Sequence, residues 1–455
     1  MNHPKSHLFY QSRLRRPLVD RAEGIYFWDS SGKRYLDGSS GAMVCNIGHS
    51  NPHVLEAMRK QMERATFAYR LQFENEPAEK LAAHLVEYMP QGMDKVFFVS
   101  GGSEAVEACL KMARQYTLAI GQPQRYKTIS RFPSYHGSTL GALAATGMSL
   151  MSAPFDPMLQ QMPKISAPTV YLDLDECTTE EKRNLRGLYY ANLLEEEILR
   201  QGPETVLSFI MEPIGGASTG ALVAPDSYYG RIREICDRYG VLLIYDEVMS
   251  GAGRTGRHYL GGAHWNAEPD LIALSKGMAA GYSPLGAMVT SGKMVEPVLD
   301  SGGFVHGYTY AGNPLSCSAG LAVLEEIEKQ NLLAKAERTG DLLKSRLEDL
   351  LQRFSFIGDV RGKGLLLAVE FVADRETMQP LPPEMNAHTE VVDMAFERGL
   401  IIYSRRTRGG RIGDHFLICP PLIIEETQID ELLEMFTDTL VEFAQKHKLS
   451  CNSEE

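Results

Sequence analysis

Between roughly residues 60 and 330, short apolar runs alternate with longer stretches whose apolar positions recur every three or four residues. The runs at 95–99, 206–211, 241–245 and 271–274 are each bounded by glycine, charge or turn residues. Largely apolar runs of this length suit strands buried on both faces of a parallel sheet, and the stretches between them are long enough for crossover helices. This predicts an α/β domain with a mostly parallel sheet. From about Leu321 one long helical pattern runs to near Ser355, and strand-like positions follow at 364–371, which predicts a second, smaller α/β lobe. Early in the chain, Tyr26, Phe27 and Trp28 precede a turn at 29–33, so residues 24–36 read as a hairpin that could join either lobe.

Composition narrows the class without changing the fold. The chain has 455 residues, 44% hydrophobic and 23% charged, enough apolar material for a large core and no signature of disorder. Its net charge of −12 is the wrong sign for a general nucleic-acid or anionic-membrane surface, and no apolar stretch is long enough for a membrane span. Neither nucleic acid nor membrane is expected as a partner. The seven cysteines are scattered, with no CxxC pair, so no disulfide framework and no metal site are expected, and a reducing, cytoplasmic setting fits them. Lys5, Arg13, Arg15 and Arg16 precede the first acid, Asp20, but no secretory apolar run accompanies them, so an ordinary N-terminal arm is expected rather than a transit peptide.

Four places carry candidate chemistry. The run ending at Val99 is followed by Ser100-Gly101-Gly102-Ser103 and a helical stretch at 104–116. The amides at that helix start, the Ser103 hydroxyl and the helix dipole would hold a phosphate, although a serine-capped helix reads the same way. The run 241–245 delivers Asp246-Glu247 to a strand's carboxyl end, where open α/β sheets bind ligands. A carboxylate held there needs a cation, which a protonated heterocycle supplies as well as Arg or Lys; capping the next loop is the other reading. Lys276 follows the run 271–274, where partial desolvation would favour the free amine that a Schiff base needs, though a solvated surface lysine reads the same. Tyr135-His136-Gly137 could offer an aromatic face to a planar ring or simply pack in the core.

In order along the chain these pieces are SGGSEA, YHG, MEP, DEV and SKG, with GRTG at 253–256 and HGYTYAGNP at 306–314. Together with FWDSSGKRYLDGSSGAMVCNIGH near the start and GDHFLICPPLII near the end, the set resembles the class III pyridoxal-phosphate aminotransferases over nearly the whole chain. The resemblance implies fold type I, an α/β fold with a large cofactor-binding domain at 64–330 and a small domain at 331–455, the segment 1–63 joining the small domain and the dimer arm. It implies pyridoxal 5'-phosphate held by Lys276 as a Schiff base, Asp246 paired with the pyridine nitrogen, Gly102 and Ser103 on the phosphate and Tyr135 on the ring. Glu212 and His136 would belong to the network around Asp246, and Thr309 would reach the cofactor phosphate of a neighbouring subunit, making the unit a homodimer, or a tetramer built from it.

Two positions separate the chain from ornithine- and GABA-type relatives. Ala217 stands where those carry a second glutamate, and Met249 where they commonly carry glutamine, which moves the chain toward the ω-amine:pyruvate type. In the family an arginine before the Gly-Asp turn takes the substrate carboxylate. Arg411 matches best, with Arg405, Arg406 or Arg408 as substitutes and a solvated basic loop as the other reading. Tyr69, with Tyr10, Phe27 and Phe73, is a candidate for the pocket wall, against core or dimer packing. The expected activity is ping-pong transfer of an amino group from an ω-amine or amino acid to a small 2-oxo acid, pyruvate favoured. A lyase acting on a phosphorylated or phosphonate amine is the alternative, and a non-catalytic scaffold on the same fold is a third reading, against which Lys276 speaks.

Overall fold

A computed structural model describes residues 6–451, so Lys5 of the basic arm lies outside the described residues. The chain begins with an antiparallel meander of β1 (Val19–Glu23), β2 (Tyr26–Asp29) and β3 (Arg34–Asp37). The turn between β2 and β3 forms because Asp29 Oδ1 accepts from the Ser31 and Lys33 amides and the Ser31 hydroxyl.

Seven strands make the central sheet: β4 (Lys95–Val99), β5 (Lys127–Phe132), β6 (Lys164–Ser166), β7 (Val206–Met211), β8 (Leu242–Asp246), β9 (Leu271–Leu274) and β10 (Gly286–Thr290). Their spatial order is β4-β10-β9-β8-β7-β5-β6. The pairs β5–β6, β5–β7, β7–β8 and β8–β9 are parallel, and only β10 runs against its neighbours. Every residue of β7, β9 and β10 is buried, as strands covered on both faces require.

The smaller lobe holds an antiparallel sheet of β11 (Ile357–Lys363) and β12 (Leu366–Asp374), with β13 (Gln379–Pro380) paired to β12. The short β14 (Leu400–Ile401) leaves this sheet and runs parallel to β3, tying the N-terminal meander to the C-terminal lobe. β15 (Tyr403–Arg408) and β16 (Ile412–Ile418) form a hairpin that completes the sheet beside β12.

The long helical pattern beginning near Leu321 is not one helix. It forms two, Pro314–Lys329 and Leu332–Arg353, because Asn331 takes a left-handed conformation (φ 49°) that Asn tolerates better than most side chains. One core runs through all parts: Ile25 and Leu36 of the meander, Leu274 of the central sheet, and Leu343, Phe371 and Phe436 of the C-terminal lobe share a cluster. Among the described residues no helix is long and apolar enough to cross a membrane.

Candidate active site

The parallel strands β7, β8 and β9 lie side by side, so what their carboxyl ends carry must meet at one sheet edge. Glu212 follows β7, Asp246 is the last residue of β8, and Lys276 comes two residues after β9. The loop after β5 adds Tyr135 and His136, and the helix after β4, Gly102–Ala119, adds Gly102 and Ser103.

Asp246 is buried, with one oxygen 2.8 Å from His136 Nδ1 and the other accepting from the Val248 amide at 3.1 Å. The His136 amide is fixed by the Thr146 hydroxyl, while its Nε2 is buried with no hydrogen-bond partner among the described residues. Glu212 is buried beside Arg131, whose guanidinium donates to the Glu212 carbonyl at 2.6 Å and lies 3.6 Å from Oε2, which accepts no hydrogen bond among the described residues. Burial pushes the Glu212 carboxyl up, and His136 and Arg131 oppose that shift. Lys276 makes no hydrogen bond through its ammonium among the described residues, and burial pushes its pKa down, with Asp246 and Glu212 pulling it part of the way back. Its backbone is left-handed, with φ 46°, a strained conformation of the kind that collects at reacting positions.

Gly101 caps the helix Gly102–Ala119, so no side chain occupies its first amides, and Ser103 is not the helix cap. Instead the Ser103 hydroxyl accepts from the Ser138 amide at 3.0 Å, which ties the helix start to the Tyr135-His136-Gly137 loop. Gly102 must be glycine, since a Cβ there would lie 2.8 Å from a Val248 methyl. Tyr135 stands partly exposed beside them, its hydroxyl 3.0 Å from the Ser138 Oγ.

The hairpin of β15 and β16 sorts the four arginines. Arg406 binds Asp414 at 3.0 Å and the Pro383 carbonyl, and Arg408 binds the Met378 carbonyl, so both are committed to the lobe. Arg411 is exposed at the hairpin turn and has no side-chain partner among the described residues. Arg405 is exposed, pairs with no carboxylate among the described residues, and lies 4.5 Å over the ring of Tyr403. Arg405 thus packs on Tyr403, which belongs to the apolar cluster of Ala217 and Met249, while Arg411 stands at the turn.

Thr309 and Tyr69 are not part of this group through any described hydrogen bond. Both sit on exposed segments that dock on each other: Arg70 donates to the His306 carbonyl, Asn75 to that of Gly312, and Asn313 to that of Thr66. Phe27 packs against His49 and Tyr10 lies under Arg15, while Phe73 is exposed. Asp37, Cys45 and His49 bring potential metal-ligating atoms within 4.8 Å of one another, but Asp37 is already bonded to His49 and to the Ser39 and Gly41 amides.

Sequence reasoning missed Arg131, a buried charge in β5, and gave no role to Arg254 of GRTG, which is the largest fully buried side chain among the described residues.

The family description Aminotransferase class-III matches residues 10–440. The chain is 41% identical over 426 residues to the uncharacterized aminotransferase YodT of Bacillus subtilis, covering 93% of this chain and 95% of that one. It is 34% identical over 421 residues to the putrescine–pyruvate aminotransferase of Pseudomonas aeruginosa, covering 92% and 89%. The ω-transaminase of Pseudomonas jessenii, solved in complex with PMP, superposes with a TM-score of 0.89 at 32% identity and covers 97% of each chain. The chain belongs to the class III aminotransferases. It is a pyridoxal-phosphate-dependent transaminase of fold type I, which removes the scaffold reading.

Proposed function

We propose that this enzyme transfers an amino group from a terminal amine or an amino acid to a small 2-oxo acid, pyruvate foremost, in two half-reactions at one site. The observation that carries this reading is the meeting of Lys276, Asp246 and Glu212 at the ends of three adjacent strands.

The residues fit pyridoxal phosphate. The helix start left open by Gly101 suits a phosphate, with Gly102 and Ser103 supplying amides and hydroxyl. Asp246, oriented by His136 and Val248, would hold the proton on the pyridine nitrogen, and Tyr135 would cover the ring. When bound, the cofactor supplies a carbonyl to carry the amino group and a ring that draws electrons from the substrate Cα.

The protein's own work is then acid–base chemistry. Lys276 would hold the cofactor and, once freed by a donor amine, would take up on its neutral nitrogen the proton that leaves the substrate Cα. Burial favours the neutral amine this step needs. Glu212, held by Arg131, adds a second buried carboxylate that balances positive charge in the site.

The acceptor's carboxylate is assigned to Arg405, with Arg411 the alternative that the family spacing suggests. Met43, Ala217, Met249 and Tyr403 share one apolar cluster, so no carboxylate stands at position 217 to take up the arginine when a donor lacks an acid group. This favours amine donors with pyruvate over the ornithine type. The putrescine–pyruvate relative supports the same choice. Nothing in the site favours the lyase reading over transfer.

Thr309 would serve the cofactor phosphate of a second copy, which makes the working unit a dimer. The test is the visible absorbance of the purified enzyme, with amines added first and pyruvate second. Loss of the yellow band with an amine and its return with pyruvate supports transfer to pyruvate. A band that persists while ammonia or phosphate is released overturns it.

A further inference from the structure

Arg254 is completely buried, and among the described residues no carboxylate lies within ion-pair distance of it. An unpaired buried cation is costly, so its retention calls for a physical reason. Its guanidinium is instead bound by neutral acceptors from two lobes. Nη1 donates to the carbonyls of Leu365, Cys419 and Pro420 in the C-terminal lobe, at 3.3, 3.3 and 2.5 Å. Nη2 donates to Ser40 Oγ at 3.0 Å and Asn46 Oδ1 at 2.6 Å in the N-terminal segment.

Asn46 passes this placement on. Its Nδ2 donates to the Ala252 carbonyl at 2.8 Å, and the same atom lies against Gly277, where an added Cβ would overlap both Asn46 Nδ2 and the Ala252 methyl. Gly277 is the residue after Lys276, whose backbone is held left-handed. We propose that Arg254 is a positioning residue for Lys276, seating the lysine through Asn46 and Gly277 and placing a fixed positive charge beside it.

This rests on the reading of Lys276 as the cofactor lysine. The groups facing Lys276 are Asp246, Glu212, Cys419 and Arg254; the acids favour its proton, and Arg254 with burial disfavours it. Arg254 in turn faces Asp37, Cys45 and Cys419. The same guanidinium binds the carbonyls of the C-terminal lobe, so the lysine's seat and that lobe's position share one anchor.

The test compares Arg254→Lys, Arg254→Met and Asn46→Ala as holoenzymes, by pH titration of the visible band without substrate and by kcat and KM. Arg254→Met should move the spectral midpoint upward, because the nitrogen of Lys276 keeps its proton longer. Arg254→Lys should keep the midpoint and lose kcat by at least about tenfold, since charge is restored but the reach to Asn46 is not. Asn46→Ala leaves four of the five acceptors in place, so it keeps the test open if Arg254→Met does not fold, and it should lose kcat with KM for pyruvate little changed. Folded Asn46→Ala and Arg254→Lys enzymes with wild-type kcat, or a folded Arg254→Met enzyme with the wild-type midpoint, would overturn the proposal. A wild-type band that survives Lys276→Ala would instead overturn the reading on which it rests.

Discussion

His136 Nδ1 stands 2.8 Å from the Asp246 carboxylate at the buried centre of the site. The contact joins the loop after β5 to the last residue of β8, two strands away in the sheet. With the Val248 amide on its other oxygen, Asp246 has a fixed orientation before any ligand arrives. A buried carboxylate so held is an electrostatic partner prepared for a positive ring nitrogen.

Asp246→Asn keeps the shape and both neighbours but removes the charge. The variant should fold like the wild type and lose about 10²–10³-fold in kcat, the range seen when one preorganised electrostatic contact is removed. Steady-state rates with an amine and pyruvate check this, and a loss under tenfold would show that the ring nitrogen is not held by Asp246.

Arg405→Ala should raise KM for pyruvate by about 10–100-fold, the worth of a charge-assisted hydrogen-bond pair, while Arg411→Ala leaves it near the wild-type value. An amine without a carboxylate should show little change in KM in either variant. If Arg411→Ala carries the effect instead, the turn residue reaches the substrate and the Tyr403 stack is only a surface contact.

This choice among arginines shows where sequence reading ends. The strand ends that carry Asp246 and Lys276 were legible in the apolar runs before them, whereas the roles expected of the two residues came from the ordered set of motifs and the family it resembles. The roles of Arg405 and Arg406 depend on hairpin register, which sets Arg405 opposite His415 and Arg406 opposite Asp414. A shift of one residue would exchange them. The break at Asn331 was hidden because a single left-handed residue barely disturbs a helical pattern, and β10 escaped notice because its run, Gly-Ala-Met-Val-Thr, is short and opens on two small residues.

Acid should destabilise the fold through His415. It is buried beside Arg361 with neither ring nitrogen hydrogen-bonded among the described residues, and burial and that guanidinium push its pKa down from the ordinary 6.5 to about 3. Between these values the unfolded chain binds a proton that the native one does not, so stability is complete above about pH 6.5 and falls as pH drops toward 3. The slope is about 1.4 kcal/mol per pH unit for one proton. Urea unfolding from pH 7 to 4 should show His415→Gln less acid-sensitive than the wild type by up to this slope, and parallel curves would mean that the histidine is protonated in the native state.

The segments carrying Tyr69 and Thr309 leave Tyr69, Leu71, Phe73, Val305 and Tyr310 exposed, with Phe67 and Tyr310 in ring contact at 5.9 Å. So much apolar surface on two segments docked by side-chain hydrogen bonds to carbonyls is costly in water and suited to a second copy. Leu71→Asp with Phe73→Asp should therefore give a monomer by sedimentation. Because Thr309 would serve the other subunit's site, that monomer should also lose its cofactor on dilution. Thr309→Ala should stay dimeric and bind the cofactor about tenfold more weakly, the worth of one hydrogen bond to a charged group. A monomeric double variant that keeps its yellow band and its activity would show that each chain completes its own site.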